Sequence, residues 1–223
     1  MLVLTFDTET TGLPTKYNAH ISESDHWPHI VQLSYILYDT VSHKMLTQQN
    51  QIIKTTGTIS PGSMAIHGIT PEICAEQGIP IEHALLQFNE WLRLADQIVG
   101  HNLSFDQNMI LVELHRLQAK QYFTKRDGSR PLLEYCTMKN GTQLCRINKT
   151  NFKTGEIYFK YPTLSELYVY LFKVQPLGVH DALVDVLLCL RCYFMMQTLP
   201  IDPLTHVDVD PNLKALYELH VKN

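Results

Sequence analysis

Carboxylates in three short segments are the residues of this sequence best suited to chemistry. Asp7 and Glu9 follow a short apolar run, and because alternate residues of a strand share a face, their side chains project together. Two such acids at the end of a buried strand repel each other unless a cation joins them. Hard divalent cations such as Mg²⁺ and Mn²⁺ prefer carboxylate oxygens. The pair is therefore a candidate metal site, although an isolated Asp-x-Glu is more often an exposed strand or turn.

Two further acids and one histidine complete the candidate set. Asp106 falls in the first turn of a predicted helix, where the helix dipole favours an anion. Asp185 stands among apolar helical residues, where a lone carboxylate needs a partner or a metal. His180 precedes that helix, and histidine is a natural general base near neutral pH. Taken singly, Asp106 fits a capping acid and His180 a loop residue. Taken together, they fit two-metal hydrolysis of a phosphodiester.

Other classes of protein find little support in the sequence. It contains no P-loop, dinucleotide-binding glycine motif, nucleophile elbow or zinc-protease motif. The five cysteines are scattered and indicate no disulfide framework. We interpret Cys189 and Cys192 as buried thiols, in preference to a zinc site. No apolar run approaches the roughly 20 residues that span a bilayer, and no basic leader opens the chain. We therefore expect no membrane partner and, by default, a cytoplasmic protein, with the nucleus also open.

Hydrophobic periodicity predicts an α/β fold with a mixed sheet. Expected strands are 2–6, a hairpin of 30–40 and 45–54, and 97–100. One helix is expected to start at Thr70-Pro71-Glu72, with proline at its first position. Further helices are expected over 80–94, 104–118, 163–172 and 181–199, the second of these four with Ser104 as its N-cap. Residues 13–29 are an expected long loop, and 147–161 an expected small surface hairpin.

The length of 223 residues fits one domain with a short appendage. We assign the domain to 1–199 and a C-terminal tail to 200–223. The tail contains one short amphipathic stretch, 213–219, which either packs on the domain or docks a partner such as a polymerase.

Charge is distributed unevenly along the chain. The net charge is −4, yet residues 116–160 hold ten Lys and Arg against three acids. Such a basic segment can bind nucleic-acid backbone, and aromatic residues within it can stack on bases. The aromatic candidates are Tyr122, Phe123, Phe152, Tyr158 and Phe159. The competing interpretation is a solvated loop whose aromatic residues pack locally.

The motifs together resemble those of the DnaQ-like exonucleases of the DEDD superfamily, in the histidine branch. The resemblance covers roughly residues 1–198. The matching segments are Phe-Asp7-x-Glu9-Thr-Thr-Gly12-Leu13, His101-Asn102-x-x-Phe105-Asp106, His180-x-Ala182-x-x-Asp185 and Ala65-Ile66-His67-Gly68-Ile69-Thr70. The tyrosine branch would carry Tyr four residues before the last acid, where this chain has Asp181.

The resemblance implies a ribonuclease-H-like fold, with a central mixed five-stranded sheet flanked by helices. It implies that Asp7, Glu9, Asp106 and Asp185 hold two Mg²⁺ or Mn²⁺ ions and that His180 deprotonates the attacking water. It also implies contacts between the terminal nucleotide and a set of residues in three motifs. These are Thr10, Thr11, Gly12, Leu13, Ile66, His67, Asn102 and Phe105, with Ile66 and His67 in a loop beside the 3′ nucleotide.

The expected activity is metal-dependent 3′-to-5′ removal of nucleoside monophosphates from single-stranded DNA or unpaired 3′ ends. An exoribonuclease that trims RNA remains open, because the same chemistry serves both and the choice depends on how the 2′ position is handled. A module that has lost catalysis and only binds nucleic acid or a polymerase is the third reading. The expected partner is a single-stranded 3′ end, with DNA favoured over RNA.

Overall fold

The central sheet of this chain, described by a computed structural model, has five strands. The structure describes residues 1–55, 57–124, 132–198, 200–208 and 210–221. In chain order the strands are β1 Leu2–Thr10, β2 Ile30–Asp39, β3 Lys44–Ile52, β4 Gln97–Gly100 and β5 Leu133–Cys136. Their spatial order is β3-β2-β1-β4-β5, with β1 antiparallel to β2 and parallel to β4. The predicted mixed five-stranded sheet is confirmed.

Helices cover both faces of this sheet. In chain order they are α1 Pro61–His67, α2 Pro71–Gln77, α3 Ile81–Leu94, α4 Leu103–Arg116, α5 Thr137–Cys145, α6 Leu164–Phe172, α7 Ala182–Met195 and α8 Pro211–His220. A separate two-stranded hairpin, β6 Asn148–Thr150 with β7 Ile157–Phe159, joins α5 to α6. The expected small surface hairpin is therefore present.

The side chains of β1 point alternately to the two faces of the sheet and so belong to two layers of the core. Leu4 and Phe6 pack with α3 and α4 on one face, whereas Val3 packs with α7 on the other. Because successive side chains point to opposite faces, Asp7 and Glu9 share the α7 side, and Thr8 shares the α4 side. This geometry decides which helix each acid of β1 can meet.

Three local predictions are wrong. The N-cap of α4 is Asn102, with a left-handed φ of 68°, and not Ser104. The backbone of Asn102 closes this turn itself, since its carbonyl accepts the Phe105 amide at 2.8 Å. Helix α7 ends at Met195 and not 199, because the Gln197 side chain donates to the Tyr193 carbonyl at 2.8 Å in place of a further helical turn.

The third error concerns Ile66 and His67, which were expected to lie in a loop. Together with Ala65 they form the last turn of α1. Ser60 caps this helix through its side chain, Pro61 occupies the first turn, and Gly68 ends it with a φ of 72°.

The segment after α7 packs on the same core as the sheet. Leu213, Tyr217 and Val221 are buried in one cluster with Tyr38 and residues of α6 and α7. Arg191 of α7 pairs with Asp202 at 2.8 Å. Asp210 accepts the Met45 amide of β3 at 2.7 Å. Of the tail residues expected to form an apolar face, Leu219 is instead 68% exposed. No helix in the described ranges is long and apolar enough to cross a bilayer.

Candidate active site

Three carboxylates converge at the carboxyl end of β1. One oxygen each from Asp7, Glu9 and Asp185 lies within 4.8 Å of the others, and this is the one such group of three or more metal-ligating side chains within the described ranges. Asp7 and Glu9 reach it because they share the α7 face of β1, and Asp185 reaches it from the first turn of α7. The sheet and one helix thus bring two sequence motifs together.

Asp106 approaches the same centre from the opposite side of the sheet. It is 3% exposed, and its Oδ1 accepts the Thr8 amide at 3.0 Å and the Thr8 hydroxyl at 2.7 Å. It lies outside the group within 4.8 Å, yet its charge still acts on Asp7 and Glu9. The structure therefore brings three of the four predicted acids into one tight group and holds the fourth beside it.

The acids disfavour their own ionisation. Burial raises the pKa of Asp7 well above its usual range, and the charges of Asp106 and Asp185 add to the effect. Burial raises the pKa of Glu9 to about 8, with Asp185 the next cause. Burial also raises the pKa of Asp185 to about 7, and that of Asp106 to about 7 against the hydrogen bonds from Thr8. Excess negative charge of this kind is relieved by a bound cation.

The site residues fit a divalent cation by their chemistry. All of the grouped ligand atoms are carboxylate oxygens, which Mg²⁺ and Mn²⁺ prefer. Asp185 accepts the His180 amide through Oδ2 at 3.2 Å, whereas its Oδ1 is buried without a hydrogen-bond partner in the described part of the chain. A buried acceptor left open among like charges is an expected metal-ligand atom.

His180 is held next to these acids by its backbone. It has a left-handed φ of 72° and donates its amide hydrogen to Asp185, and the residue as a whole is exposed to solvent. The imidazole is not part of the carboxylate group. The structure thus puts His180 at the rim of the site rather than among the candidate metal ligands.

Two residues that the sequence motifs did not single out fix the start of α7 to the sheet. Gln32, which pairs with Glu9 across β1 and β2, accepts the Ala182 amide at 3.2 Å and donates to Asp181 at 3.3 Å. Asp181 caps α7 by accepting the Leu183 amide at 2.9 Å. Its charge also raises the pKa of Glu9 and Asp185. These contacts set the position of Asp185 relative to Glu9.

A cleft of about 460 Å³ opens beside Glu9. Six of the predicted nucleotide contacts line it, namely Thr10, Gly12, Leu13, Ile66, His67 and Phe105. Thr11 and Asn102 do not line it. Thr8 and three residues around the start of α1, Ser60, Gly62 and Ser63, line it without having been predicted. The Ser60-Pro61 pair is an N-cap signal that would have revealed this helix.

The residues predicted to contact the nucleotide differ in which polar atoms and how much apolar surface they leave available to a ligand. Both His67 ring nitrogens are engaged, with Thr10 O at 3.2 Å and with the Ile69 amide at 3.0 Å. Thr11 is used structurally, since its hydroxyl accepts the His29 amide at 2.9 Å. Leu13 and Ile66 are 79% and 59% exposed at the mouth of the cleft. The residues with open apolar surface are therefore Leu13 and Ile66.

Comparison with known families decides the class of this protein. Residues 4–193 match the model of the RNase T exonuclease family. The chain belongs to that family. It is a DnaQ-like exonuclease of the DEDD superfamily, as the motifs predicted. No curated protein matches the sequence closely enough to count as a relative.

Solved exonuclease I structures share the fold at low sequence identity. The Escherichia coli enzyme with a dT13 oligonucleotide has 17% identity and a TM-score of 0.61, and covers 98% of this chain. A zinc-bound complex of that enzyme with single-stranded DNA has 16% identity, 98% coverage and a TM-score of 0.64. The Methylocaldum szegediense enzyme has 19% identity, 88% coverage and a TM-score of 0.62.

The chain spans less than half the length of those structures, matching 43% of the two Escherichia coli chains and 41% of the Methylocaldum szegediense chain.

Proposed function

We propose that this exonuclease removes nucleoside monophosphates from the 3′ end of single-stranded DNA with the help of divalent cations. The observation that carries the proposal is the group formed by Asp7, Glu9 and Asp185 beside a nucleotide-sized cleft. The zinc-bound and oligonucleotide-bound exonuclease I structures, which share this fold, support the choice of a metal and of single-stranded DNA.

In this proposal Asp7, Glu9, Asp106 and Asp185 hold two Mg²⁺ or Mn²⁺ ions. Such ions, when bound, lower the barrier by activating water and by offsetting charge on the leaving oxygen. The chain's part is to keep the oxygens in place. Thr8 fixes one oxygen of Asp106, and the His180 amide fixes one oxygen of Asp185, which leaves the other free.

The remaining roles belong to the cleft and its rim. The terminal nucleotide lies along Thr10 to Leu13 and against Ile66 and Phe105. His67 contacts the nucleotide through its ring face, because its nitrogens hold Thr10 and Ile69. Asn102 and Thr11 shape the site through the backbone turns they form. The His180 imidazole takes the proton from the attacking water.

The test is digestion of 5′-labelled single-stranded DNA and RNA of the same sequence, with Mn²⁺ or with EDTA. We expect a ladder that shortens from the 3′ end in Mn²⁺, is lost with Asp7→Asn, and forms faster on DNA. Faster digestion of RNA would establish the exoribonuclease instead. No digestion of either strand by folded protein would leave a binding module and overturn the proposal.

A further inference from the structure

The hairpin of β6 and β7 exposes aromatic side chains that the fold does not use. All six strand residues are exposed, with Tyr158 at 46% and Phe159 at 39%. Phe152, in the turn, is 95% exposed, and Tyr161 below the hairpin is 58% exposed. Within the described residues, these rings belong to none of the four buried apolar clusters. Apolar surface of this kind marks an interaction site.

The structure separates these rings from other aromatic residues of the basic segment. Phe123 is 8% exposed and packs against Phe6 and Phe88, so it belongs to the core and cannot stack on a base. Tyr122 lies under Arg93 and Lys120 at 5.3 and 5.1 Å. The interpretation that aromatic residues of the basic segment pack locally is therefore correct for Phe123, whereas the rings of the hairpin are open to a ligand.

Unpaired cations stand beside the exposed rings. Lys149 lies opposite Tyr158 in the strand register, and Lys153 follows Phe152 in the turn. Neither ammonium group forms an ion pair with a described residue, unlike Lys160, which binds Glu166 at 2.5 Å. Glu156 is the one acid in the sequence between Arg146 and Lys160.

Other cations of the basic segment do not add to this surface. Arg116 is held by Glu113 and by backbone carbonyls, and Lys125, Arg126 and Arg130 lie outside the described residues.

The segment that follows the hairpin contacts the end of the sheet at which the acids lie. The Pro162 carbonyl, two residues after Lys160, accepts a hydrogen bond from His101 Nε2 at 3.0 Å. His101 follows the last residue of β4, which runs parallel to β1, so both strands end on the same side. The cleft and the segment that leaves the hairpin therefore lie at the same end of the sheet, to which a strand with its 3′ end in the cleft must extend.

We propose that the β6–β7 hairpin binds the single strand on the 5′ side of the terminal nucleotide. Phe152 and its neighbouring rings stack on bases, and Lys149 and Lys153 contact phosphates. Rings and cations interleaved on one exposed element match the chemistry of single strands, which offer a base face and a phosphate at each nucleotide. This inference rests on the proposed single-stranded DNA substrate.

The test compares two matched double variants. Phe152→Ala with Lys153→Ala removes one ring and one cation from the hairpin. The control, Val41→Ala with Lys44→Ala, removes one exposed apolar residue from the β2–β3 turn and one exposed lysine from the start of β3, near the opposite end of β1. Binding of a labelled twelve-nucleotide DNA is measured in EDTA at several salt concentrations. Turnover of the p-nitrophenyl ester of thymidine 5′-monophosphate, which has no upstream strand, is measured in Mn²⁺.

For the hairpin variant we expect binding of the oligonucleotide to weaken roughly tenfold. The slope of log affinity against log salt should fall by about 0.7, the value for one lost phosphate contact on a single strand. Ester turnover should stay at the wild-type rate. The control variant should match wild type in all three measurements.

Equal oligonucleotide binding by the two variants would overturn the inference. So would an equal loss in binding and ester turnover, because the hairpin would then act on the cleft and not on the upstream strand. A change in molar mass by light scattering without a change in DNA binding would make the hairpin a self-association surface, against the inference. Failure of the wild type to degrade DNA counts against the proposed substrate, whereas binding in EDTA still reports on the hairpin.

Discussion

Thr8 explains why the four acids are not equivalent. It lies between Asp7 and Glu9 on β1, so its side chain points to the other face, where it binds Asp106. One oxygen of Asp106 is thereby occupied, and the carboxylate stands outside the tight group of three. Strand alternation alone predicts that Thr8 faces away from the acids. The partner it meets depends on the packing of α4, which no local pattern reveals.

The raised pKa values predict a pH-dependent stability in the absence of metal. The pKa of Asp106 and of Asp185 is raised to about 7 and that of Glu9 to about 8, so the folded state binds more protons than the unfolded state above pH ~4. This contribution to stability is complete below the ordinary pKa and is lost as the pH rises through 7 to 8. In EDTA the Tm should therefore fall between pH 5 and pH 8.

Calorimetry on the wild type, Asp7→Asn and Asp208→Asn checks this sign. Asp7→Asn removes one of the mutually repelling charges and should flatten the fall, whereas Asp208 is an exposed acid away from the group and should not alter it. A wild-type Tm that rises over this range would show that the carboxylates are stabilised by ionisation, against the geometry described.

The proposed base gives a second prediction for a single residue. His180→Asn should lower kcat by about 10² to 10⁴, the usual contribution of a general base. Asparagine tolerates the left-handed backbone of this position, where φ is 72°, and keeps the amide that binds Asp185. Single-turnover rates and Mn²⁺ affinity should be measured on the same sample. Wild-type turnover by this variant would remove His180 from the mechanism.

At the scale of elements, the sequence predicts the parts that have strong periodicity or clear ends. The β2–β3 hairpin, α3, β4 and α6 lie close to their expected bounds, since each combines an apolar pattern with a turn or a capping residue at its end. Helix α1 has no buried residue, so no apolar stripe reveals it. Its cap, Ser60, is nevertheless the residue that brings the start of α1 to the cleft.

The joint between α2 and β3 gives a prediction about one glycine. A Cβ at Gly78 would lie 2.3 Å from the Cys74 carbonyl oxygen and 2.6 Å from the Lys54 amide nitrogen. Both contacts are to backbone, which cannot yield as a flexible side chain does. Gly78→Ala should therefore lower the free energy of unfolding by about 1–3 kcal/mol. Gly62→Ala, where the nearest atom is 3.9 Å away, is the control for urea denaturation and should not be destabilised. Equal midpoints would contradict the close approach.

At the scale of the whole molecule, the segment after 199 is bound to the rest by charge and by apolar packing. Arg191 lies 4.0 Å from the ring of Phe172, pairs with Asp202 and donates to Tyr217 of α8 at 3.0 Å. Leu213 and Tyr217 are 2% and 5% exposed. Tail residues far apart in sequence thus meet α7 and β3, a contact that amphipathic spacing alone does not specify.

We expect a chain ending at residue 199 to be markedly less stable than the whole chain. Removal of the tail would expose the apolar surface of Tyr38 and α7, and each large apolar side chain that is no longer buried typically costs about 1.5–3 kcal/mol. It would also remove Asp202 and Tyr217, the partners of the Arg191 guanidinium. Thermal unfolding of the two chains, with Leu219→Ala as an exposed-residue control in α8, measures the effect. An unchanged Tm on truncation would mean that the tail is an independent appendage.

Mn²⁺ binding at pH 7.5, measured by titration calorimetry, tests whether Asp7, Glu9 and Asp185 form a divalent-cation site. We expect saturable binding by the wild type, a loss of at least about tenfold in affinity with Asp185→Asn, and no loss with the exposed Asp208→Asn. Equal affinity of the two variants, or no binding by folded wild-type protein, would show that these carboxylates do not form the site.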